Sequence, residues 1–357
     1  MVARTQVTDL GGGVWSIPVP IPDNPLGHTL VYAVDTDRGP VLIDTGWDDP
    51  ASWDTLTEGL TACGTSVRDL HGVIVTHHHP DHHGLSGRVR EASGAWVAMH
   101  EADLAIVRRT RETRPGRWFT YMAAKLTAAG APEEHVAPLR TALPQALGSA
   151  RAGRDPHRTL PGLSPALPDR EIVPGELLDL PGRRLRAIWT PGHTPGHVCL
   201  HLEETHPAQL PGQGRLFSGD HLLPEISPHI GLYEDPDDAT VTDPLGDYLD
   251  SLERIDRLAP AEVLPAHQYA FTDASSRVRE LLTHHESRLA DLLTLLSQPL
   301  TPWQLAERME WNRPWSDIPY GSRNIAIAEA EAHLRRLVKL GRAEAVPGSE
   351  PVTYVAV

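Results

Sequence analysis

Apolar positions follow a strand rhythm in the first part of the chain. The runs "GVWSIPV", "HTLVYAVD" and "GPVLIDTG" are rich in β-branched and aromatic residues. They predict three strands, with Asp37 to Pro40 as the turn between the second and third and an antiparallel start to a sheet. A helical period takes over at "WDTLTEGLTACG", "HGVIVTHHH" returns to strand, "GAWVAMH" reads as another strand, and a helix begins at "EADLAIVRRT". From about residue 111 to 168 the strand pattern fades, and "WFTYMAAKLTAAG" and "PEEHVAPLRTALPQALGSA" predict helices broken at Gly and Pro. This helical insertion is either a lid over a site or a packing elaboration of one edge. Strands resume at "ELLDL", "RLRAIWTP", "HVCLHLE" and "GRLFSGD", followed by the helix "LGDYLDSLERIDRL" and a short strand in "AEVLPAH".

The last part of the chain changes character. "DASSRVRELLTHHESRLADLLTLL" is a long amphipathic helix, "TPWQLAERM" a helix with Pro at its first turn, and "RNIAIAEAEAHLRRLVKLG" a third helix ending at Gly341, followed by short extended pieces. Three helices and a hairpin are the order of a winged-helix unit, so the pattern divides the chain into a catalytic domain at 1–271 and a winged-helix-like domain at 272–357. The third helix carries glutamates through its first half and no basic stripe, which favours a structural or dimerising role over DNA reading.

With 357 residues, 40% apolar and 22% charged, the chain has the balance of a folded globular protein. Its net charge of -15 gives no long-range attraction to a phosphate backbone, so broad nucleic-acid binding is not expected. The N-terminal residues lack the apolar core of a signal peptide and no apolar run is long enough to span a bilayer, which predicts a cytoplasmic protein without a membrane partner. Cys63 and Cys199 form no metal or redox motif and read as reduced thiols.

The candidate chemistry lies where strands end. After "GVIV" come His77, His79, Asp81 and His82; "TPGHTPGH" holds His193 and His197; "SGD" ends in Asp220; "EVLPAH" ends in His267. Strand ends held by a sheet can converge although they are far apart in sequence. Residues two apart in an extended segment point the same way, so His77 and His79 share one ion and His78 faces elsewhere. Pro80 suits entry to a helix whose first turn aims Asp81 and His82 at a second ion. His77, His79 and His193 make the first set, Asp81, His82 and His267 the second, and Asp220 bridges them. His78 and His83 are expected to pack or support, and His197 to orient the His193 loop by a hydrogen bond.

With these motifs in this order, the chain resembles a metallo-β-lactamase-fold hydrolase from about residue 14 to 270: His77, His79, Asp81 and His82 meet its His-x-His-x-Asp-His pattern. The resemblance implies an α/β fold, the αββα sandwich of two mixed sheets with helices outside. It also implies a supporting role for Asp44 in "LIDTG" behind the metal-binding loop. The second position of the opening motif is His79, not the glutamate of the di-iron flavoprotein branch, and a full second set argues against the single-iron dioxygenase branch.

The expected function is therefore that of a dinuclear metal-dependent hydrolase. Two divalent ions, zinc foremost with manganese or iron as alternatives, hold a hydroxide that attacks an ester or thioester carbonyl of a small or carrier-linked acyl substrate, with Asp81 and Asp220 orienting it. The motifs resemble those of hydroxyacyl-glutathione hydrolases, without their basic C-terminal segment. The overall order resembles the β-lactamase-like group with a C-terminal winged helix, some members of which are endoribonucleases for single-stranded RNA. The acidic charge and the lack of a basic, aromatic-laced strip favour the acyl substrate. A non-catalytic metal- or DNA-binding regulator is a third reading, at odds with the full ligand complement. Substrate contacts are expected from His229 and Tyr233 in the loop after Asp220, and from Arg114, Arg117 and Trp118 in the insertion. A homodimer is a further expectation.

Overall fold

The computed structural model describes residues 6–112, 117–141, 165–205, 207–233 and 241–357. Seven strands form one sheet in chain order: β1 (Thr8–Asp9), β2 (Val14–Pro20), β3 (His28–Val34), β4 (Val41–Ile43), β5 (Gly72–Ile74), β6 (Trp96–His100) and β7 (Arg170–Ile172). Pairing is antiparallel through β4 and parallel from β4 to β7. A second sheet has the order β11-β10-β9-β8, from β8 (Leu185–Trp189), β9 (Val198–Leu202), β10 (Arg215–Gly219) and β11 (Glu262–Pro265). It too is mixed, with β10 and β11 parallel and the other pairs antiparallel.

The continuous apolar reading of "TLVYAV" has a simple cause: both faces of the first sheet are covered. Val31, Ala33, Leu42, Val73 and Val97 pack in one cluster with Leu56 and Leu60 of α1 (Pro50–Ala62), and with Val89 and Leu104 of the helices that follow β5 and β6. The residues between them in sequence, Tyr32, Val34, Ile43 and Ile74, face a second cluster with Ala187, Leu200, Phe217 and Leu264 of the other sheet. The hydroxyl of Tyr32 crosses this interface and donates to the carbonyl of Pro265 at 2.7 Å. The arrangement is the αββα sandwich that the sequence predicts.

One strand expectation is corrected and one strand was missed. "ELLDL" is not a strand; only Leu177 bridges Arg186, beyond a turn at Gly175, whose φ is +83°. The regular strand lies earlier, in Arg170–Ile172, where a short segment with two exposed charged residues extends the sheet edge beside β6.

Cα proximity divides the chain into two compact units, Met1–Arg111 with His157–Pro228 and Asp250–Val278, and Glu112–Pro156 with His229–Leu249 and Arg279–Val357. The sequence pattern places its boundary near 272, just ahead of the helix Ala274–Leu295. The second unit also takes in Glu112–Pro156, the larger part of the insertion, where the Trp303 N–H donates to the carbonyl of Ala129 at 2.9 Å. Among the described residues no helix is long and apolar enough to cross a membrane.

Candidate metal centre

All seven proposed ligands lie in loops or short helices at the carboxyl ends of strands in the first unit. Val75–His79 follows β5 and leads into α2 (Pro80–His83), the loop Thr190–His197 follows β8, Asp220 follows β10 and His267 follows β11. Strand register aligns these ends, which is why residues as far apart in the chain as His77 and His267 meet at one place.

The seven side chains form two sets. His77 Nε2 lies 2.9 Å from His79 Nδ1 and 3.3 Å from His193 Nε2, and the latter is 3.1 Å from His79 Nδ1. Edges of about 3.3 Å are what three nitrogens make around an ion at roughly 2.0–2.1 Å. In the second set, Asp81 Oδ2 is 3.5 Å from His82 Nε2 and 3.4 Å from His267 Nε2. Asp220 joins the two: Oδ2 is 3.5 Å from His193 Nε2, while Oδ1 is 3.4 Å from His82 Nε2 and 3.3 Å from His267 Nε2.

Hydrogen bonds behind the site fix which ring nitrogen faces inward. Asp44 Oδ2 is 2.8 Å from His82 Nδ1, and Asp44 also accepts the N–H of Thr76 at 2.8 Å and its hydroxyl at 2.9 Å. That hydroxyl oxygen lies 3.1 Å from His77 Nδ1 and can accept its N–H, since its own hydrogen goes to Asp44. His267 Nδ1 donates to the carbonyl of His28 at 3.0 Å. In each case the outer nitrogen can carry a hydrogen, so that with a cation bound the inner Nε2 would present its lone pair, the tautomer a metal needs. His82 Nε2 and His267 Nε2 are buried and meet the buried Asp220 Oδ1 at 3.4 and 3.3 Å without hydrogen-bond geometry. A donor set of convergent lone pairs and carboxylates fits divalent cations.

Electrostatics in the metal-free state agree. Burial, reinforced by the neighbouring imidazoles, holds His77 and His79 well below the usual histidine range. Burial acts the same way on His82 and His267, but Asp81 and Asp220 outweigh it and raise His82 well above its usual value and His267 to about 10. Conversely, burial would raise Asp220, and His267 and His82 overcome it, holding the carboxyl well below its ordinary range. Raised histidines and lowered carboxyls mark a place that favours positive charge, which divalent cations would supply.

The other predicted residues separate cleanly. His197 Nδ1 is 2.8 Å from the Thr190 hydroxyl and its Nε2 accepts the Asp220 N–H at 3.2 Å, so it spans the His193 loop and steadies Asp220. Gly219, at φ +50°, makes room for that contact: a Cβ there would lie 2.7 Å from His197 Nε2. His78 turns away from both sets toward Asp103, and His83 is buried outside them. His229 and Tyr233 belong to the second compact unit, where they line a cavity of about 140 Å³ with Lys125 and Asn324. Arg114 and the side chains of Arg117 and Trp118 lie outside the described residues. Sequence reasoning missed Asp103 and Thr76. No signal in the sequence distinguishes Asp103 from an ordinary first-turn aspartate of its helix.

Residues 24–267 match the metallo-beta-lactamase superfamily. The chain is 27% identical over 299 residues to the probable metallo-hydrolase YqjP of Bacillus subtilis, covering 83% of this chain and 84% of that protein. It is 32% identical over 132 residues to the lactamase-like protein nscB of Aspergillus fumigatus, a match that spans 37% of this chain and only 34% of the fungal protein. The crystal structure of a metallo-beta-lactamase family protein from Thermus thermophilus superposes with a TM-score of 0.76 at 31% identity, covering 98% of this chain and 100% of that one. Fold, ligand order and match agree, and the chain belongs to the metallo-beta-lactamase superfamily.

Proposed function

We propose that the protein is a dinuclear metal-dependent hydrolase that cleaves an ester or thioester of a small or carrier-linked acyl substrate. The observation that carries this reading is the Asp220 carboxylate, one oxygen turned to His193 and the other to His82 and His267. Family membership and the name of the Bacillus relative support the hydrolase class. Zinc suits the imidazole and carboxylate donors, and manganese or iron would be accepted by the same atoms.

Two divalent cations bound there would supply Lewis acidity at the substrate oxygen and lower the pKa of a water to about 7. The protein's own contribution is orientation. Asp44 and Thr76 hold His82 and His77, His197 holds the Asp220 backbone, and Asp81 and Asp220 stay ionised, ready to orient the attacking water by accepting its hydrogen bonds. Neither cysteine is a credible nucleophile, because burial pushes the Cys199 thiol up to about 12 and the Cys63 thiol to about 11.

For the substrate, the net charge of -15 supports a small acyl compound over a polyanion. His229 and Tyr233 are proposed contacts, Tyr233 as donor to a carbonyl oxygen, and Arg114, Arg117 and Trp118 are proposed to meet a carboxylate or phosphate. The second reading, cleavage of single-stranded RNA, is favoured by the run of three helices and an antiparallel hairpin in residues 274–356, the order of a winged-helix unit. That unit is otherwise proposed to serve dimerisation.

The discriminating experiment is a matched panel offered to the metal-quantified protein: acyl thioester, aryl ester, lactone, β-lactam, phosphodiester and single-stranded RNA. Thioester or ester turnover that disappears with a chelator and in Asp220→Asn supports the proposal. RNA cleavage without acyl hydrolysis, lost in Asp81→Asn, overturns it.

A further inference from the structure

Asp103 belongs to neither set of metal-capable side chains, yet it is fully buried and uses both oxygens. It is the third residue of the helix Glu101–Glu112, whose other buried residues, Leu104 and Val107, anchor it in the core. Oδ2 accepts the N–H of His78 at 2.8 Å and the hydroxyl of Thr194 at 2.9 Å, and lies 2.9 Å from His78 Nδ1. Oδ1 accepts the N–H of Gly196 at 2.7 Å.

The partners are the informative part. His78 sits between His77 and His79, while Thr194 and Gly196 follow His193 by one and three positions. One carboxylate on a rigid helix therefore ties together the two loops that supply all three imidazoles of the first set. The approach is close enough to require glycine: a Cβ on Gly196 would lie 2.5 Å from the Asp103 backbone nitrogen and 2.7 Å from Oδ1. The donors hold the carboxyl ionised although burial alone would raise its pKa, with His78 the strongest opposing influence.

We infer that Asp103 is the positioning residue of the three-histidine set, supporting that metal position and not the one made by Asp81, His82 and His267. Asp44 differs in reach, since it touches His82 directly and His77 through Thr76. The inference rests on the two-metal reading above.

The test uses the full chain, stripped of metal and titrated with zinc against a chromophoric chelator, with the visible absorption of the cobalt-loaded protein as a second readout. In Asp103→Asn one of two equivalents should weaken by roughly tenfold or more, with altered cobalt absorption, while the other is unchanged. Thr194→Val keeps the volume and removes one donor, so it should show a smaller loss in the same equivalent, and it serves where the Asn variant does not fold. A purely structural Asp103 would lower the unfolding temperature and leave both affinities and the cobalt spectrum as in the wild type, which overturns the inference, as does equal weakening of both equivalents. Wild-type protein that binds fewer than two equivalents would instead defeat the two-metal reading itself.

Discussion

At the scale of single residues, the candidate centre is built from pairs in which one metal-capable group is aimed by another. His82 is aimed by Asp44, whose backbone adopts φ +60°, a left-handed conformation that Asp and Asn tolerate better than most residues. Asp44→Asn therefore keeps the backbone and removes the charge, and should cost ~10 to 100-fold in metal affinity or activity. Chelator competition at neutral pH reads this directly, and an affinity equal to wild type would refute the supporting role. The seven side chains that could hold metal were legible in the sequence because their loops follow apolar runs and because Asp81 breaks the histidine run at helix entry. Asp103 was not, since an aspartate in the first turn of a helix is ordinarily a surface group that complements the helix dipole. Only three-dimensional packing shows that its side chain points inward to meet His78, Thr194 and Gly196.

At the scale of elements, the long strands and helices followed their periodicity, and short edge pieces did not. Arg170–Ile172 has too few residues and too much charge to announce itself, and its pairing with β6 is set by the partner strand. The helix Pro302–Arg308 begins with Thr301, whose hydroxyl accepts the Gln304 N–H at 3.2 Å while the Gln304 side chain accepts the Thr301 N–H at 3.0 Å. Thr301→Ala should destabilise the protein by about 0.5–2 kcal/mol in urea unfolding. Between the helices Ala274–Leu295 and Arg323–Lys339, His285 Nδ1 lies 3.1 Å from His333 Nε2, and His333 Nδ1 donates to the carbonyl of Glu329 at 2.8 Å. That contact excludes both rings being charged at once, and burial, reinforced for His285 by His333, lowers His285 to about 3 and His333 to about 4.

The sign of the resulting pH dependence follows. Above about pH 6.5 neither state of these histidines binds a proton, and their contribution is fully present. Below it the unfolded chain takes up protons that the folded pair refuses, so stability falls as pH drops toward about 4 and then about 3. The slope is at most about 1.4 kcal/mol per pH unit for each histidine. Urea midpoints of the metal-free protein at pH 7 and pH 5 should differ in that direction, with a smaller difference in His333→Leu. Equal sensitivity in the two proteins would show that the pair stays protonated or relaxes.

At the scale of the whole molecule, the sandwich explains why both faces of the first sheet are apolar and why its strand ends can hold polar loops without loss of core. The sequence made this architecture readable through the order of motifs, whereas the grouping of the insertion with the C-terminal helices needed coordinates, because no periodicity encodes which helix a distant helix packs against. Metal bound only by the folded state adds to its stability, so a chelator should lower the unfolding temperature as well as abolish turnover. In the proposed centre Asp220 joins two metal positions. The most direct measurement of this is the stoichiometry of zinc bound by metal-free wild type and by Asp220→Asn, in titrations followed to saturation. Two equivalents for the wild type, with both affinities weakened in the variant, are predicted; one saturating equivalent in the wild type, or a variant that binds two as tightly, would contradict the account.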